Sequence, residues 1–211
     1  MSFTHHIAAI LPPDLPNRAI VVEKAARHLD LIVEANRTFN LTRILDPREA
    51  AIKHVLDSAL PWPLFQDAGH ILDAGTGAGF PGIILAMIYP SIQFTLAESV
   101  GKKARFVEVA VHELDLPNVG VIWKRAEEVP IAKRTQEIIT ARAVAPVTKM
   151  IDLLGSRLQK GAKALLYKGP GADSEISQAN PRLESQGLQA RVVYRYDLPE
   201  GLGSRRIIEL S

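Results

Sequence analysis

Apolar residues recur at helical spacing over residues 17–39 and predict a long helix near the start of the chain. The positions that carry this spacing are Ile20, Val21, Ala25, Leu29, Ile32 and Val33, which share one face of a helix with 3.6 residues per turn. Asp46 and Pro47 then have the residue types that begin a helix, and Glu49 stands where a capping box would bring it back to Asp46. This second helix is expected to end before Pro61.

From residue 70 onward, short apolar runs alternate with helical stretches. The predicted strands cover residues 70–74, 92–97, 119–123, 137–142, 162–167, 189–197 and 205–210. The predicted helices cover residues 81–89, 100–114, 146–158 and 174–186. Repeated strand–helix units require a mostly parallel sheet with helices on both faces. Because no helix separates the last two strands, they are expected to pair as an antiparallel hairpin at one edge. The chain would then consist of an N-terminal helical extension, residues 1–66, packed on an α/β domain, residues 67–211.

Composition narrows the class of protein. The 211 residues are 47% hydrophobic and 23% charged, which is ordinary for a globular chain of one domain with a modest appendage. The absence of cysteine excludes disulfides, thiolate zinc sites and cysteine nucleophiles. No apolar run approaches the roughly 20 residues that span a bilayer, and the histidines show no metal-ligand spacing. We therefore expect a cytoplasmic protein without membrane or metal.

Charge is distributed unevenly along the chain. Residues 101–168 carry 13 basic and 7 acidic side chains, whereas residues 1–100 carry 7 and 10 and residues 169–211 carry 5 and 6. A locally basic face suits a polyanionic partner, although a solvated surface of mixed charge is the simpler alternative.

The stretch from Ile71 to Gly82, ILDAGTGAGFPG, has the pattern of a strand, a glycine-rich turn and the start of a helix. Such a turn places backbone N–H groups at the carboxyl edge of a parallel sheet, where ligands bind. Gly77, Gly79 and Gly82 also satisfy the dinucleotide fingerprint G-x-G-x-x-G. The pattern predicts an adenosine-containing cofactor, either NAD or S-adenosylmethionine.

Two residues favour S-adenosylmethionine. Asp73, at the strand end, could meet the cationic ammonium of that ligand but would repel a pyrophosphate. Pro81 lacks an N–H group that would help to hold phosphate. Glu98 ends the next strand and could accept hydrogen bonds from both ribose hydroxyls, a device that NAD would share.

Several further motifs, taken in order, resemble the glucose-inhibited division protein B family, the small-subunit ribosomal RNA methyltransferase G proteins. The resemblance covers most of the chain. It rests on the loop of residues 73–82 together with Asn40-Leu41-Thr42, His54-x-x-Asp57-Ser58, Glu98-Ser99, Lys102-Lys103, Phe106, residues 125–128, Arg142-Ala143 and Lys168-Gly169. The family often has serine where this chain has Ala141, and residues 169–200 match none of its motifs.

The resemblance implies a class I S-adenosylmethionine methyltransferase (Rossmann-like) fold and methylation of guanine N7 at G527, in the 530 loop of 16S rRNA. The substrate would be the 30S subunit or an assembly intermediate. The resemblance also implies that Gly75 and Phe80 line the cofactor pocket, that Ala126 and Glu127 flank the adenine, and that Arg142 lies beside the methyl-transfer site. The predicted cofactor-binding set is Asp73, Gly75, Gly77, Gly79, Phe80, Glu98, Ala126, Glu127 and Arg142.

The chemistry of N7 is compatible with what the sequence contains. Guanine N7 carries a lone pair and no proton, so its methylation needs positioning rather than a general base. C5 methylation of a pyrimidine would need a cysteine, and residues 140–146 lack the Asn/Asp-Pro-Pro-aromatic motif of adenine-amine methyltransferases. Arg142 could contact guanine O6, grip a phosphate, or form a salt bridge at its strand end.

His54, Asp57 and Ser58 lie on one helical face. Successive turns of one helix cannot present a nucleophile, base and orienter to each other. We therefore interpret the three as a polar cluster that bridges the extension to the core.

RNA contacts are expected from basic residues of the middle and C-terminal segments in a monomeric protein. The candidates are Lys102, Lys103, Arg105, Arg125, Lys168, Arg205 and Arg206. Three alternatives stay open: a methyltransferase acting on a small molecule or protein, a non-catalytic module that binds RNA or an adenosine ligand, and an NAD-dependent oxidoreductase. The intact Asp73 and glycines argue against the second, and Asp73 and Pro81 argue against the third.

Overall fold

The computed structural model describes residues 2–130 and 136–211. Two α-helices open the chain, α1 (Phe3–Ile10) and α2 (Arg18–Ala35). A continuous helical segment follows, made of α3 (Pro47–Ala50), a π-helical stretch (Ala51–Leu56) and α4 (Asp57–Ala59). A 3-10 turn (Trp62–Phe65) leads into the sheet.

The start of α3 follows the predicted capping pattern in part. The Asp46 side chain accepts hydrogen bonds from the backbone N–H groups of Arg48 and Glu49, and Pro47 begins the helix. The Glu49 carboxylate does not close a capping box; it pairs with Lys53 at 2.7 Å. The ion pair with Lys53 therefore occupies the carboxylate that the predicted box would have directed back to the Asp46 N–H.

Seven strands form one sheet in the order β3-β2-β1-β4-β5-β7-β6. Their bounds are β1 (His70–Ala74), β2 (Gln93–Ala97), β3 (Val119–Ile122), β4 (Glu137–Arg142), β5 (Lys163–Lys168), β6 (Ala190–Asp197) and β7 (Ser204–Leu210). The first five pair in parallel, and β7 is antiparallel to both β5 and β6. The predicted mostly parallel sheet with a C-terminal antiparallel hairpin at one edge is confirmed.

Within residues 2–130 and 136–211, four α-helices connect the strands: α5 (Gly82–Ile88), α6 (Gly101–Glu113), α7 (Val147–Leu158) and α8 (Ala172–Gln186). The buried residues fall into two clusters, one containing residues of α5 and α6 and the other residues of α7 and α8. Helices therefore cover both faces of the sheet, as the alternating pattern predicts.

The N-terminal helices pack on the α5 side. Residues of α2, such as Val21 and Leu29, belong to the same buried cluster as Ile83 and Leu85 of α5. Every residue of α5 is buried, because the sheet covers one side and the extension the other. The division of the chain at residues 66 and 67 stays a prediction. Over residues 2–130 and 136–211, no helix combines the length and apolar character needed to cross a membrane.

Candidate functional site

The glycine-rich turn lies between β1 and α5, at the carboxyl ends of the parallel strands. Gly75 and Thr76 donate backbone hydrogen bonds of 2.9 and 3.1 Å to the Ala97 carbonyl at the end of β2. Gly75 and Gly77 have φ values of 71° and 63°, a left-handed conformation that a side chain would strain. The glycines thus let the chain reverse tightly over the strand ends.

Asp73 holds this turn from below. One carboxylate oxygen, Oδ2, accepts hydrogen bonds from the Thr76 hydroxyl at 2.6 Å and from the Gly82 N–H at 2.9 Å. The side chain is fully buried, and burial raises its pKa to about 6 despite these two hydrogen bonds. Its other oxygen, Oδ1, has no hydrogen-bond partner among the residues that the structure describes.

The sequence predicted that Asp73 reaches the ligand's ammonium. In the structure the side chain lies under the turn and lines neither of the two larger cavities described below. The hydrogen bonds of Asp73 show that it shapes the turn. Direct contact between Asp73 and a ligand stays a prediction, which rests on the Oδ1 atom that no described residue contacts by a hydrogen bond. The sequence places Asp73 only at the end of a strand, and from that position a residue could either support the turn or contact the ligand.

Phe80 and two histidines support the turn from the side of the extension. The Phe80 ring packs between His28 and His54, with centroid distances of 4.7 and 4.8 Å. His28 Nε2 lies 2.9 Å from the carbonyl oxygen of Ala78. Burial lowers the pKa of His28 to about 4 and that of His54 to about 3, so both rings are neutral at pH 7. Gly79 contacts this packing: a Cβ there would lie 3.2 Å from His28 and 2.5 Å from Ile83.

Glu98 closes the turn on the β2 side. Its two carboxylate oxygens accept backbone hydrogen bonds from Gly77 at 2.9 Å and from Val100 at 2.8 Å. The side chain lines the larger cavity while being only 5% exposed. Each oxygen keeps a second lone pair, so the predicted contact with ribose hydroxyls remains geometrically open.

Two cavities meet at the turn. The larger, of about 750 Å³, extends from the turn to Arg142, Lys168 and Arg205. The smaller, of about 220 Å³, lies between the turn and α7. Gly75, Val144 and Ala145 line both cavities, and a Cβ at Gly75 would lie only 3.0 Å from Val144. Glycine at position 75 therefore keeps the junction between the two cavities open.

The smaller cavity contains the predicted adenine-side residues Ala126 and Glu127, opposite Met150 and Leu153. The turn that carries them (Ala126–Glu128) is held by Arg157 of α7. Arg157 donates 2.9 Å hydrogen bonds to both oxygens of Glu137, and it also donates to the carbonyls of Ala126 and Val129. Burial alone would raise the pKa of Glu137, but hydrogen bonds from His70 and Arg157 lower it.

The larger cavity contains an ionic cluster centred on Asp57. Arg142 Nη1 lies 3.2 Å from Asp57 Oδ2, Arg205 Nε lies 3.3 Å from Asp57 Oδ1, and the Tyr196 hydroxyl donates to Oδ1 at 2.9 Å. Arg142 also donates to the Lys53 carbonyl and lies with Cζ 5.4 Å from the centroid of the Phe80 ring. The salt-bridged alternative for Arg142 is thus what the structure shows, and the same arginine still lines the cavity.

His54, Asp57 and Ser58 do not act on one another as a triad. His54 Nε2 lies 3.1 Å from the Thr42 hydroxyl, and the Ser58 hydroxyl donates to the His54 carbonyl at 2.6 Å. Asp57 reaches β4 and β7 through its arginines. The interpretation of these residues as a polar bridge from the extension to the core is confirmed.

The predicted RNA-binding residues divide into two groups. Lys103, Lys168 and Arg205 line the larger cavity. Lys168 is engaged by the Ala145 carbonyl and Glu175, each at 2.7 Å. The others lie outside that cavity: Lys102, with Nζ 5.5 Å from the Phe39 ring, Arg105, Arg125, which lies 4.0 Å from Glu127, and Arg206, which donates to the Arg205 carbonyl. RNA contact by these residues stays a prediction.

Sequence reasoning missed one contributor to the site, His28, which reaches the turn from α2; the available signal was its position on the apolar face that carries Val21, Ala25 and Ile32. It also missed the contacts of Asp57, a residue already assigned to the polar bridge, with Arg142 and Arg205. In the described part of the chain no group of three or more histidine or acidic side chains is arranged to hold a metal ion.

Comparison with known proteins gives one family. The family model described as rRNA small subunit methyltransferase G matches residues 21–200. The ribosomal RNA small subunit methyltransferase G of Solibacter usitatus (strain Ellin6076) is 54% identical over 210 residues and covers 100% of both chains. The protein of the same name from Symbiobacterium thermophilum is 36% identical over 89% of this chain and 80% of its own length.

Solved structures agree at the level of the fold. A human methyltransferase 10 domain containing protein matches with a TM-score of 0.60 at 12% identity, covering 89% of this chain and 97% of the other. Precorrin-6y C5,15-methyltransferase from Geobacter metallireducens matches with a TM-score of 0.56 at 15% identity, covering 81% and 91%. These likenesses show the class I S-adenosylmethionine methyltransferase fold. The family match, not the fold, makes the alternative of an NAD-dependent oxidoreductase wrong. The predicted resemblance is confirmed: the chain belongs to the rRNA small subunit methyltransferase G family.

Proposed function

We propose that this chain transfers a methyl group from S-adenosylmethionine to N7 of a guanine in 16S rRNA, the guanine conventionally called G527 in the 530 loop. The observation that carries the proposal is the junction of two unlike cavities at Gly75, in a chain of this family. One cavity is small and lined by α7 side chains, and the other is large and lined by charged groups. This combination suits a nucleoside cofactor in the smaller cavity and a nucleotide substrate in the larger one.

The chain fits the cofactor. Together the cavities fall in the range of about 300–1,000 Å³ that is typical of small-molecule sites. Met150 and Leu153 offer an apolar surface to an adenine, and Glu98 at the end of β2 offers carboxylate oxygens to a ribose. The part of the cofactor that follows the ribose would pass the Gly75 junction and enter the larger cavity. When bound, the cofactor supplies an electrophilic methyl group on a sulfonium.

The protein's part in the reaction is to hold the acceptor in line and exclude competing contacts. Guanine N7 has no proton to lose, so no general base is needed. The titratable groups at the cavity agree with this: His54 is neutral at pH 7 and packed on Phe80, and Asp57 is occupied by two arginines. Arg142 lies beside the Gly75–Val144 junction, where its planar fork suits the positioning of a guanine or its phosphate.

Cations around the cavity mouth support a polyanionic substrate. Lys103 lies in the first turn of α6 and lines the larger cavity, Lys102 and Arg105 are exposed residues of the same helix, and Arg125 lines the smaller cavity. The ring of Trp123 is 66% exposed and donates from Nε1 to the Ser99 carbonyl, so it could stack on an unpaired base. We expect a monomer that acts in the cytoplasm on the 30S subunit or an assembly intermediate. A guanine in a loop costs less free energy to place in the cavity than a paired guanine, because no base pair has to be broken.

The experiment that tests the proposal supplies methyl-labelled S-adenosylmethionine with 30S subunits, naked 16S rRNA and small-molecule extracts, followed by nucleoside analysis. Label in 7-methylguanosine from 16S rRNA is the expected result. Label in another nucleoside, or only in a small molecule, would refute the proposed acceptor. No transfer to any acceptor would favour the alternative of a non-catalytic binding module.

A further inference from the structure

One buried carboxylate holds two arginines side by side at the larger cavity. The Asp57 side chain is 3% exposed, and it contacts Arg142 from β4 and Arg205 from β7. Asp57 itself belongs to α4, in the N-terminal helices. Three segments far apart in sequence therefore meet at one charged cluster.

The hydrogen bonds of Asp57 are filled by protein groups. Oδ1 accepts from the Tyr196 hydroxyl and forms a 3.3 Å salt bridge with Arg205 Nε, and Oδ2 accepts from Arg142 Nη1. The guanidinium groups of Arg142 and Arg205, in contrast, keep N–H donors that have no acceptor among the described residues. Among the described residues, Arg142 Nε and Nη2 and Arg205 Nη2 have no acceptor, although a guanidinium carries five N–H donors. Both side chains line the cavity, so these donors are available to a ligand there.

The charge balance of the cluster favours an anion. Two guanidiniums against one carboxylate leave one positive charge, and the other acidic side chains of the cavity are already engaged. Glu175 pairs with Lys168, and Glu98 accepts two backbone N–H groups. His54 adds no charge because its pKa is lowered to about 3 by burial. Planar forks with free donors match a phosphate better than a neutral acceptor.

The cluster extends outward from the cofactor turn: Arg142 ends β4, beside β1, with Cζ 5.4 Å from the Phe80 ring, and Arg205 lies farther along the sheet. The turn follows β1, and Arg205 begins β7, which lies three strand spacings away in the sheet, a distance of about 14 Å. An oxyanion at the Arg205 end of the cluster would therefore lie farther from the turn than Arg142 does. The carboxylate of the cofactor would lie nearer to the turn.

We propose that Arg142 and Arg205 form a subsite for a phosphate of the RNA nucleotide that carries the acceptor base, and that Asp57 is the positioning residue that aligns the two arginines. This inference rests on the proposed function. It assigns the N-terminal helices a direct part in the site, since they supply the carboxylate that sets the arginine geometry.

The test compares guanosine 5′-monophosphate with guanosine as ligands of the full chain saturated with S-adenosylhomocysteine, using NMR titration. The variants are Arg205→Ala and Arg205→Lys, with Arg191→Ala as the matched control, because Arg191 lies on the neighbouring strand and pairs with Glu209 outside the cavity. The wild-type protein is expected to bind the monophosphate at least about tenfold more tightly than guanosine. Arg205→Ala should reduce this ratio to about one, and Arg191→Ala should preserve it.

Asp57→Asn tests the positioning role through coupling. Asp57→Asn should reduce the preference for guanosine 5′-monophosphate over guanosine. The Asp57→Asn/Arg205→Ala double variant should show no greater reduction of this preference than Arg205→Ala alone. A merely structural role would lower the melting temperature without this non-additivity. An unchanged or increased preference in a folded Asp57→Asn protein would overturn the positioning role.

Other outcomes decide the rest. Equal affinity for guanosine and its monophosphate in the wild-type protein, or no measurable binding of the monophosphate, would overturn the phosphate subsite. Loss of S-adenosylhomocysteine affinity in Arg205→Ala, with the nucleotide ratio unchanged, would assign the oxyanion to the cofactor and overturn it too. Because these titrations involve no methyl transfer, the subsite can fail while rRNA methylation stands, and rRNA methylation can fail while the subsite stands.

Discussion

The buried Asp73 carboxylate gives the protein a pH-dependent stability that replacement by asparagine should remove. Its pKa is about 6 in the folded chain against 3.8 as the ordinary value. Between these values the folded protein binds more protons at this position than the unfolded chain does. The free energy of unfolding therefore falls as the pH rises from about 4 to 6.

The size of the effect follows from the shift. At 1.36 kcal/mol per pKa unit, the carboxylate costs about 3 kcal/mol of stability above pH 6. Asp73→Asn keeps an oxygen for the Thr76 hydroxyl and the Gly82 N–H but carries no charge. The difference in unfolding free energy between Asp73→Asn and the wild-type protein should therefore grow by about 2–3 kcal/mol from pH 4 to pH 7.5. Comparing the two proteins cancels the other titrating groups, including His28 and His54.

Urea unfolding at a series of pH values measures this difference. Asp152→Asn is the matched control, because Asp152 is an exposed partner of Arg182 and its replacement should give a nearly flat difference. A flat difference for Asp73→Asn, within about 0.5 kcal/mol, would show that Asp73 ionises normally and that burial does not govern it. Calorimetry with S-adenosylhomocysteine on the wild-type protein and on Asp73→Asn measures whether the charge of Asp73 contributes to ligand binding.

Three further predictions concern the walls of the cavities. Arg157→Met should lower the unfolding free energy by about 3–5 kcal/mol, because it strands the buried Glu137 carboxylate; an Arg157→Met/Glu137→Met double variant should recover part of this loss, and a loss below about 1 kcal/mol would contradict the buried pair. Gly77→Val should weaken S-adenosylhomocysteine binding by more than about 30-fold in calorimetry, since the φ of 63° strains a β-branched residue; unchanged affinity would mean that the turn is misassigned. Ala143→Gly should raise the melting temperature through about 0.5–1 kcal/mol of relieved strain at a φ of 56°, and a lower melting temperature would count against strain at this position.

Local pattern was enough to predict most of the fold. The strand–helix alternation after residue 70 placed β1 to β5 and their helices, because each element buries one face with its own period. The absence of a helix between β6 and β7 predicted their antiparallel pairing. The helix α1 was not predicted individually, because its eight residues include His5 and His6 and give little periodicity. The π-helical stretch of residues 51–56 has no distinct sequence signal either.

The candidate site was predictable only where one segment builds it. The glycine-rich turn and Glu98 follow from residues adjacent to strand ends. The contacts of Arg142 with Asp57 and of Arg157 with Glu137 join residues 85 and 20 positions apart, and no local pattern encodes such pairing. For the same reason the burial of Asp73 was not foreseen: its place under the turn depends on the packing of Gly82 and Leu96 around it.

The most direct test of the proposed function maps the methylated base itself. Unmodified 16S rRNA assembled into 30S subunits is incubated with the chain and S-adenosylmethionine, then treated with borohydride and aniline, which cleave RNA at 7-methylguanosine, and read by primer extension. The proposed function predicts one new cleavage, at G527, that disappears when S-adenosylmethionine is omitted. No cleavage, or cleavage at a different guanine, would contradict it.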